Sequence, residues 1–475
     1  MAKTYCTICH METPARLLDR KTWVLDVLPQ MGPRLGMFKY KQLPYPQIHP
    51  IHTSQHAVMT QEQWDNLVEY FHLSSPEKLP PQELPIIPEP ECPQFVAESF
   101  SPDIDADAIF TMIEVDTLNE IIYAGEAVTS TLYKMNYQGD LLDTIPFNSA
   151  VTDMLIGRDY LEVAEVGILH PNNEDKGKLW YLGDVNTRRP ISNTLLIDSI
   201  FRPVYVESND YNNDGTKDYL VCEYGNDIGR LTIYYQDQRE GFKPYIIENI
   251  PGSIVTRTHD FNRDGFLDIA VLFAQGDERI VIYYNDGKGD FRTGFKIAAR
   301  FPAVYGSMYF DLHDFNEDGN MDILYVNGDN FDYSQILKPY HGIRILMNDG
   351  NDEFKEEYFY PIYGAGRAII HDFDLDKDSD IVVVSNFADM ENNPERGIIY
   401  LENRGDLNYQ PYSIPEAAVN QWNTIGAGDF DRDGDMDVIV GSMNLANVTV
   451  MADVELGSGN NSEKTSLLLL RNTSK

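Results

Sequence analysis

From about residue 105 onward, short apolar runs recur between polar turns. Ile269-Ala-Val-Leu-Phe273, Ile381-Val-Val-Val384 and Val438-Ile-Val440 have the length and continuity of strands buried on both faces. Further along each unit, Ile280-Val-Ile-Tyr-Tyr and Arg344-Ile-Leu-Met run as strands and close on Asn-Asp-Gly, whose glycine takes the positive φ of a tight turn without strain. Another strand begins near Phe291, Phe354 or Tyr409. Before residue 80 the period changes. Leu17–Gln30 predicts a helix that ends near Pro29. Thr60-Gln-Glu-Gln63 is a capping box, and it opens a helix with Trp64, Leu67, Val68 and Phe71 at i, i+3, i+4 and i+7.

The strand-rich part is a repeat. Asp210-Tyr-Asn-Asn-Asp-Gly-Thr-Lys-Asp218, Asp260-Phe-Asn-Arg-Asp-Gly-Phe-Leu-Asp268 and Asp314-Phe-Asn-Glu-Asp-Gly-Asn-Met-Asp322 share one pattern. Asp372-Phe-Asp-Leu-Asp-Lys-Asp-Ser-Asp380 and Asp429-Phe-Asp-Arg-Asp-Gly-Asp-Met-Asp437 repeat it. First aspartates are 50, 54, 58 and 57 residues apart, the spacing of four-stranded propeller blades. Residues 105–149 and 150–206 carry strand-like runs (Glu120–Tyr123, Thr131–Asn136, Leu179–Leu182) but no complete acidic loop. The chain ends on one more strand, Leu467–Asn472, and Gln94–Phe100 fits as its outer neighbour. The expectation is an all-β propeller of seven blades, closed by an N-terminal strand.

Charge separates the two parts. The chain of 475 residues has 75 Asp+Glu against 37 Lys+Arg, a formal net charge of −38. Residues 1–90 hold eight basic and nine acidic residues, so nearly all of the excess lies beyond them. Such a charge argues against gripping nucleic acid or an anionic membrane. No apolar run reaches the roughly 18–20 residues that span a bilayer.

The repeated loop has the donor order of a calcium site: side-chain oxygens at positions 1, 3 and 5, a glycine at 6, a backbone carbonyl at 7 and a carboxylate at 9. The candidate ligands are therefore Asp210, Asn212, Asp214, Thr216 and Asp218 in the first loop and Asp260, Asn262, Asp264, Phe266 and Asp268 in the second. They are followed by Asp314, Asn316, Asp318, Asn320 and Asp322, then Asp372, Asp374, Asp376, Asp378 and Asp380, then Asp429, Asp431, Asp433, Asp435 and Asp437. An EF-hand is excluded, because no Glu stands at position 12 and a strand follows the loop. About five Ca²⁺ ions are expected, with loop 372–380 the least secure because Lys377 stands where the turn glycine belongs. The pattern resembles the FG-GAP/VCBS propellers over roughly residues 94–475. That resemblance implies an extracytoplasmic protein with structural calcium and a binding or scaffold role.

Tyr5-Cys6-Thr7-Ile8-Cys9-His10 contains Cys-x-x-Cys-His, the attachment signature of c-type haem. One helical turn presents both thiols, and His10 becomes the proximal ligand. A thioredoxin-like pair would need a βαβ context, and a zinc site a second ligand pair; neither is present. The region 1–75 thus predicts a small all-α cytochrome c-like domain, and it resembles the monohaem modules fused to such propellers in bacteria, down to Leu28-Pro-Gln-Met-Gly-Pro-Arg-Leu-Gly36. The resemblance favours Met31 as sixth ligand, placed after the helix in the Gly-Pro loop; His49, His52, His56, Met37 and an open site are the alternatives. Met59 is better read as a staple on Trp64. The chain opens Met1-Ala-Lys-Thr-Tyr with no apolar leader, so a signal and a first helix are expected upstream.

Seven prolines between residues 76 and 93 make that segment a semi-rigid linker to the propeller at 94–475. Cys92 and Cys222 read as a possible pair or as two unrelated buried thiols. His259, His313 and His371, each just before a loop aspartate, read as packing residues or as an axial ring of imidazoles. The functional expectation is a periplasmic or cell-surface electron carrier with one covalent haem, docked by its propeller on a redox partner or a larger membrane-associated assembly. A haem-dependent oxidoreductase and a redox-inactive adhesion module are the rivals. No nucleophile, acid/base pair or second cofactor motif marks the propeller as catalytic.

Overall fold

The computed structural model describes residues 2–46, 53–100, 104, 107–187, 190–237, 239–331, 336–443 and 465–474. These form seven four-stranded antiparallel sheets, the blades of a propeller. Blade 1 runs from Phe110–Asp116 to Leu141–Pro146 and blade 2 from Val151–Ile156 to Ser192–Ile200. Blades 3, 4, 5 and 6 start on Pro203–Asn209, Ser253–His259, Ser307–His313 and Ala365–His371. Blade 7 takes Trp422–Gly428, Asp437–Ser442 and Leu467–Asn472, and its outer strand is Phe95–Ser99, antiparallel to Leu467–Asn472.

The burial of each strand explains the apolar pattern. Second strands such as Asp268–Phe273, Asp380–Ser385 and Asp437–Ser442 are buried at every position, because neighbouring blades cover both of their faces. Outermost strands such as Leu141–Pro146 are exposed along most of their length. All seven blades carry a register shift at the same place, between the first and third residues of the innermost strand, as at Ser253/Val255 and Trp422/Thr424. A bulge at that point increases local twist, which suits strands converging on an axis.

Up-and-down blades place their turns on two faces. The acidic loops join first to second strands in blades 3 to 7 and lie on one face with the Asn-Asp-Gly turns; Asn285 reaches across to donate to the carbonyls of Tyr211 and Leu267. Turns between second and third strands, and the connections between blades, occupy the opposite face.

The N-terminal segment is less helical than the sequence pattern promised. Among the described residues, helical structure there is confined to Ala2–Cys6, one short 3₁₀ turn, the stretch from Arg20 to Arg34 and Gln61–Ser74, with a small hairpin of Lys39–Tyr40 and Leu43–Pro44, so no clear all-α cytochrome domain emerges. The predicted stop at Pro29 is also displaced. A π-helical turn at Trp23–Val27 precedes Leu28–Arg34, so Pro29 falls at the start of a new segment where its missing N–H costs little. Met31 is consequently a helical residue and not a loop residue. The capping box at Thr60 forms as expected, with Gln63 N–H donating to Thr60 Oγ1 at 3.2 Å and Thr60 N–H to Gln63 Oε1 at 2.9 Å. Met59 and Met37 are buried in the core around Trp23, Trp64 and Phe71.

This N-terminal part sits against the propeller face opposite the acidic loops. Val304 and Ile336 pack on its core, Tyr340 OH donates to the Leu17 carbonyl at 2.9 Å, and Met11 bridges to Pro302. The proline-rich segment is pinned to blades 5 and 6: Gln82 N–H donates to Tyr363 OH, Tyr360 OH donates to the Ile86 carbonyl, and Glu89 exchanges backbone bonds with Pro411 and Ser413. No helix of the described residues is long and apolar enough to cross a membrane.

Candidate functional site

The Cys-x-x-Cys-His motif sits at the end of the first helix. Cys6, Cys9, His10 and Met31 all line one cavity of about 560 Å³. Its apolar wall includes Trp23, Leu28, Trp64 and Phe71. Its far wall comes from blades 3, 4 and 5, with Asp227, Glu248, Pro251, Arg279, Val304 and Lys338. Cys6 and Cys9 are free thiols, and burial raises the Cys6 pKa above the ordinary thiol value. His10 Nδ1 lies 2.7 Å from the Met11 carbonyl, so that nitrogen is the donor and Nε2 keeps its lone pair free to bind a metal. The donor set therefore fits a covalently held haem: two thiols and an imidazole on one turn, with a thioether on the same cavity. His56 is exposed and lies outside the cavity lining, while His49 and His52 lie outside the described residues.

The five acidic loops share one backbone. Positions 4 and 6 take positive φ in every copy, as in Arg263 (59°) and Gly265 (89°). Lys377 adopts φ of 84° where the other copies use glycine. A lysine held there costs about 1 kcal/mol. Lys377→Gly is expected to raise unfolding stability by about that amount, read as a higher denaturant midpoint with an unchanged slope.

Position 9 does more than the calcium pattern requires. Asp268 accepts from Phe261 N–H through one oxygen and from Asn285 N–H, just past the third strand, through the other. Asp218, Asp322, Asp380 and Asp437 repeat both bonds, and all five side chains are fully buried. These residues are clamps tying the loop to the blade.

The remaining loop carboxylates divide into two groups. In the loops with Asn at position 3, Asn212 and Asn316 donate to the carboxylates of Asp214 and Asp318. Loops 372–380 and 429–437 have Asp there and nothing to donate. In them, the carboxylate oxygens of Asp372, Asp374 and Asp380, of Asp429, Asp431 and Asp437, and of Asp431, Asp433 and Asp435 lie within 4.8 Å of one another. Both oxygens of the buried Asp435 and one of Asp372 have no hydrogen-bond partner. Burial first, then the neighbouring Asp433, pushes Asp435 up to about 7; burial pushes Asp374 up to about 6. Oxygen-only donors, mutual repulsion and unpartnered buried oxygens all suit a hard divalent cation. The loop with the lysine, least secure in sequence, is one of the two best assembled. Thr216 Oγ1 is tied to Asp214, and at Phe266 only a main-chain oxygen is on offer.

The histidines before the loops stack edge-on against the aromatic at loop position 2: His259 on Phe261, His313 on Phe315 and His371 on Phe373, with centroids 4.8–5.3 Å apart. Burial lowers all three pKa values. Among the described residues no histidine joins a cluster of metal-ligating groups. Cys92 and Cys222 are free thiols in different core clusters.

An ionic cluster on the inner strands was missed by the sequence reading. Arg257 donates to Asp311 at 2.6 Å, Tyr205 OH at 2.7 Å and Tyr309 OH at 2.6 Å. Nearby, burial and then Asp153 push Glu114 up to about 8, although Arg367 and Arg257 oppose the shift. A raised carboxyl pKa means that the folded state binds the extra proton, so stability falls as pH rises from about 4.5 to about 8. Glu114→Gln is expected to flatten that fall by up to a few kcal/mol, at about 1.4 kcal/mol per pH unit. Urea unfolding at pH 5 and pH 9 measures it.

An FG-GAP-like repeat model matches residues 210–271, 260–325 and 372–440. The chain is a seven-bladed β-propeller bearing FG-GAP repeats, the architecture of a binding or scaffold module. Among solved structures it is similar to the Neurospora crassa Pan2 WD40 domain, at 10% identity over 75% of this chain and 95% of that one, with a TM-score of 0.44. It is likewise similar to the Myceliophteria thermophila Cps50 (Swd1) β-propeller domain, at 11% identity over 80% and 100% of the two chains, TM-score 0.44. No curated protein matches the chain.

Proposed function

We propose that the protein is an extracytoplasmic electron carrier with one covalent c-type haem, whose calcium-stabilised propeller docks it on a redox partner or a larger membrane-associated assembly. The observation that carries this reading is the convergence of Cys6, Cys9, His10 and Met31 on a single cavity of about 560 Å³, within the size range of cofactor pockets. Haem, when bound, supplies one-electron chemistry at the iron. The chain's own groups do the rest: the two thiols anchor, Met11 orients His10, and Trp23, Leu28 and Phe71 exclude water. Met31, on the same cavity, would offer its thioether as a second ligand to the group, a donor that suits electron transfer. The pairing of Phe95–Ser99 with Leu467–Asn472 is read as the closure of the ring, one blade taking strands from both ends of the chain.

The test is a pyridine haemochrome and a reduced-minus-oxidised spectrum of protein made in a host that matures c-type cytochromes. One haem per chain, with a sulfur-to-iron charge-transfer band that Met31→Ala abolishes, is the expected result. Protein that is folded, calcium-loaded and free of haem would leave only the propeller's binding role.

A further inference from the structure

The hold on the His10 imidazole does not stop at Met11. His10 Nδ1 donates to the Met11 carbonyl at 2.7 Å, and Met11 is itself paired with Pro302 of the propeller in a parallel backbone bridge. Pro302 belongs to the connection between Phe295–Arg300, the outer strand of blade 4, and Ser307–His313, the innermost strand of blade 5. Ala303 and Val304, the next two residues of that connection, line the cavity together with His10.

The connection is braced on every side. Tyr305 N–H donates to the Pro302 carbonyl at 2.9 Å, closing a turn around Ala303 and Val304. Phe301 stacks on Tyr325 with centroids 3.8 Å and planes 5° apart, and Tyr305 stacks on Tyr340 at 4.9 Å. The Arg344 guanidinium covers the Tyr305 ring at 5.1 Å. Tyr340 OH lies 3.2 Å from the Val304 carbonyl and 2.9 Å from the Leu17 carbonyl, so one hydroxyl spans the connection and the N-terminal module. The fixed φ of proline and the stacked rings leave this segment little conformational freedom.

Resting on the haem reading above, we infer that Pro302 and Tyr340 of the propeller are positioning residues for the proximal ligand, acting on His10 through Met11. The bond from Nδ1–H to a carbonyl sets the orientation of the imidazole and raises the basicity of its other nitrogen. A carbonyl anchored against a rigid turn keeps that bond, whereas one on a loosely held loop lets it lengthen. A more basic imidazole stabilises the oxidised iron, so loosening the anchor raises the reduction potential. The propeller therefore reaches the proximal ligand through a single residue of the module.

The test uses the full-length holoprotein. Pro302→Gly frees the backbone that carries the bridge, and Tyr340→Phe removes the spanning hydroxyl while keeping the stacked ring. Neither residue is among those lining the cavity, so neither change alters the walls of the haem site. In the double variant the reduced-to-oxidised ratio at fixed applied potential is expected to rise about tenfold, which is about 59 mV for one electron. The g values of the ferric haem in electron paramagnetic resonance shift with it. Pro302→Ala, less free than glycine, restores both readouts toward wild type. Tyr363→Phe removes a hydroxyl that accepts from Gln82 N–H at 2.9 Å in the proline-rich segment; it serves as the control and leaves both readouts unchanged. Pyridine haemochrome stays at one haem per chain throughout, and circular dichroism checks the folding of each variant. Wild-type potential and g values in Pro302→Gly, Tyr340→Phe and the double variant, with haem content intact, overturn the inference. Shifts of the same size in Tyr363→Phe also overturn it, because any loosening of the propeller would then suffice. Wild-type protein without covalent haem overturns the underlying reading instead, a result the haemochrome registers before any potential is measured.

Discussion

Cys6→Ser combined with Cys9→Ser is expected to take covalent haem from one per chain to none, while the propeller folds unchanged. The two thiols are the only cysteines on the cavity, since Cys92 and Cys222 belong to other core clusters. Neither is tied up in a disulfide. The effect is separable from folding because the motif sits beside the core of its module: Cys6 is half-buried and Cys9 exposed, whereas Trp64, Leu67, Val68 and Phe71 are almost fully buried. His10→Ala has a different signature. It keeps the thioether anchors but removes the imidazole that Met11 orients, so the haem stays attached and its spectrum becomes that of an iron without its proximal ligand. Pyridine haemochrome reads the first variant, visible spectroscopy the second, and far-UV circular dichroism confirms the β-rich fold in both. Equal haem content in the double serine variant and the wild type would refute covalent attachment through this motif.

The repeat could be read from the chain because one signal marks two structural facts. The aspartate at position 9 ends the loop and begins the second strand, and that strand is continuously apolar because neighbouring blades cover both faces. Loop position and the five blades that carry a loop follow from that; the first two blades rest on their strand-like runs alone. Other features gave way to effects that act locally or at long range. Pro29 predicted a helix end, and the π-turn at Trp23–Val27 removed the conflict, so the chain stayed helical to Arg34. Ligand and clamp require the same residue at position 9, and spacing cannot distinguish them. The ionic cluster around Arg257 is assembled from strands some fifty residues apart. Its trace in the sequence is a shared offset: Tyr205, Tyr309 and Arg367 stand five residues before a loop aspartate, and Arg257 and Asp311 stand three before one. The placement of the cavity between module and propeller had no sequence signal, because its far wall is built from inter-strand turns with no common motif.

Chelation is expected to cost the propeller far more stability than any single substitution. A site holding free calcium at one hundred times its dissociation constant contributes about 2.7 kcal/mol to folding, so five occupied loops contribute about 13 kcal/mol in all. Without a cation, loop 429–437 brings five carboxylates together, with Asp435 buried and both of its oxygens unpartnered. The clamps survive chelation, because the N–H groups of Phe430 and Asn472 hold Asp437 with or without an ion. Calcium removal therefore loosens the acidic face while the blades keep their pairing. In a thermal scan EDTA should lower the unfolding midpoint by ten degrees or more, and excess Ca²⁺ should restore it. Asp431→Asn with Asp433→Asn should remove one ion by elemental analysis and shrink the EDTA effect by about one fifth. Asp437→Ala behaves otherwise: it strands two buried N–H donors at about 1–3 kcal/mol each, and its loss of stability persists in saturating calcium. An unfolding midpoint that EDTA leaves unmoved, with no calcium in the purified protein, would mean that the loops are hydrogen-bonded acidic turns. The clamp prediction for Asp437 would still stand, because it depends only on the two backbone donors.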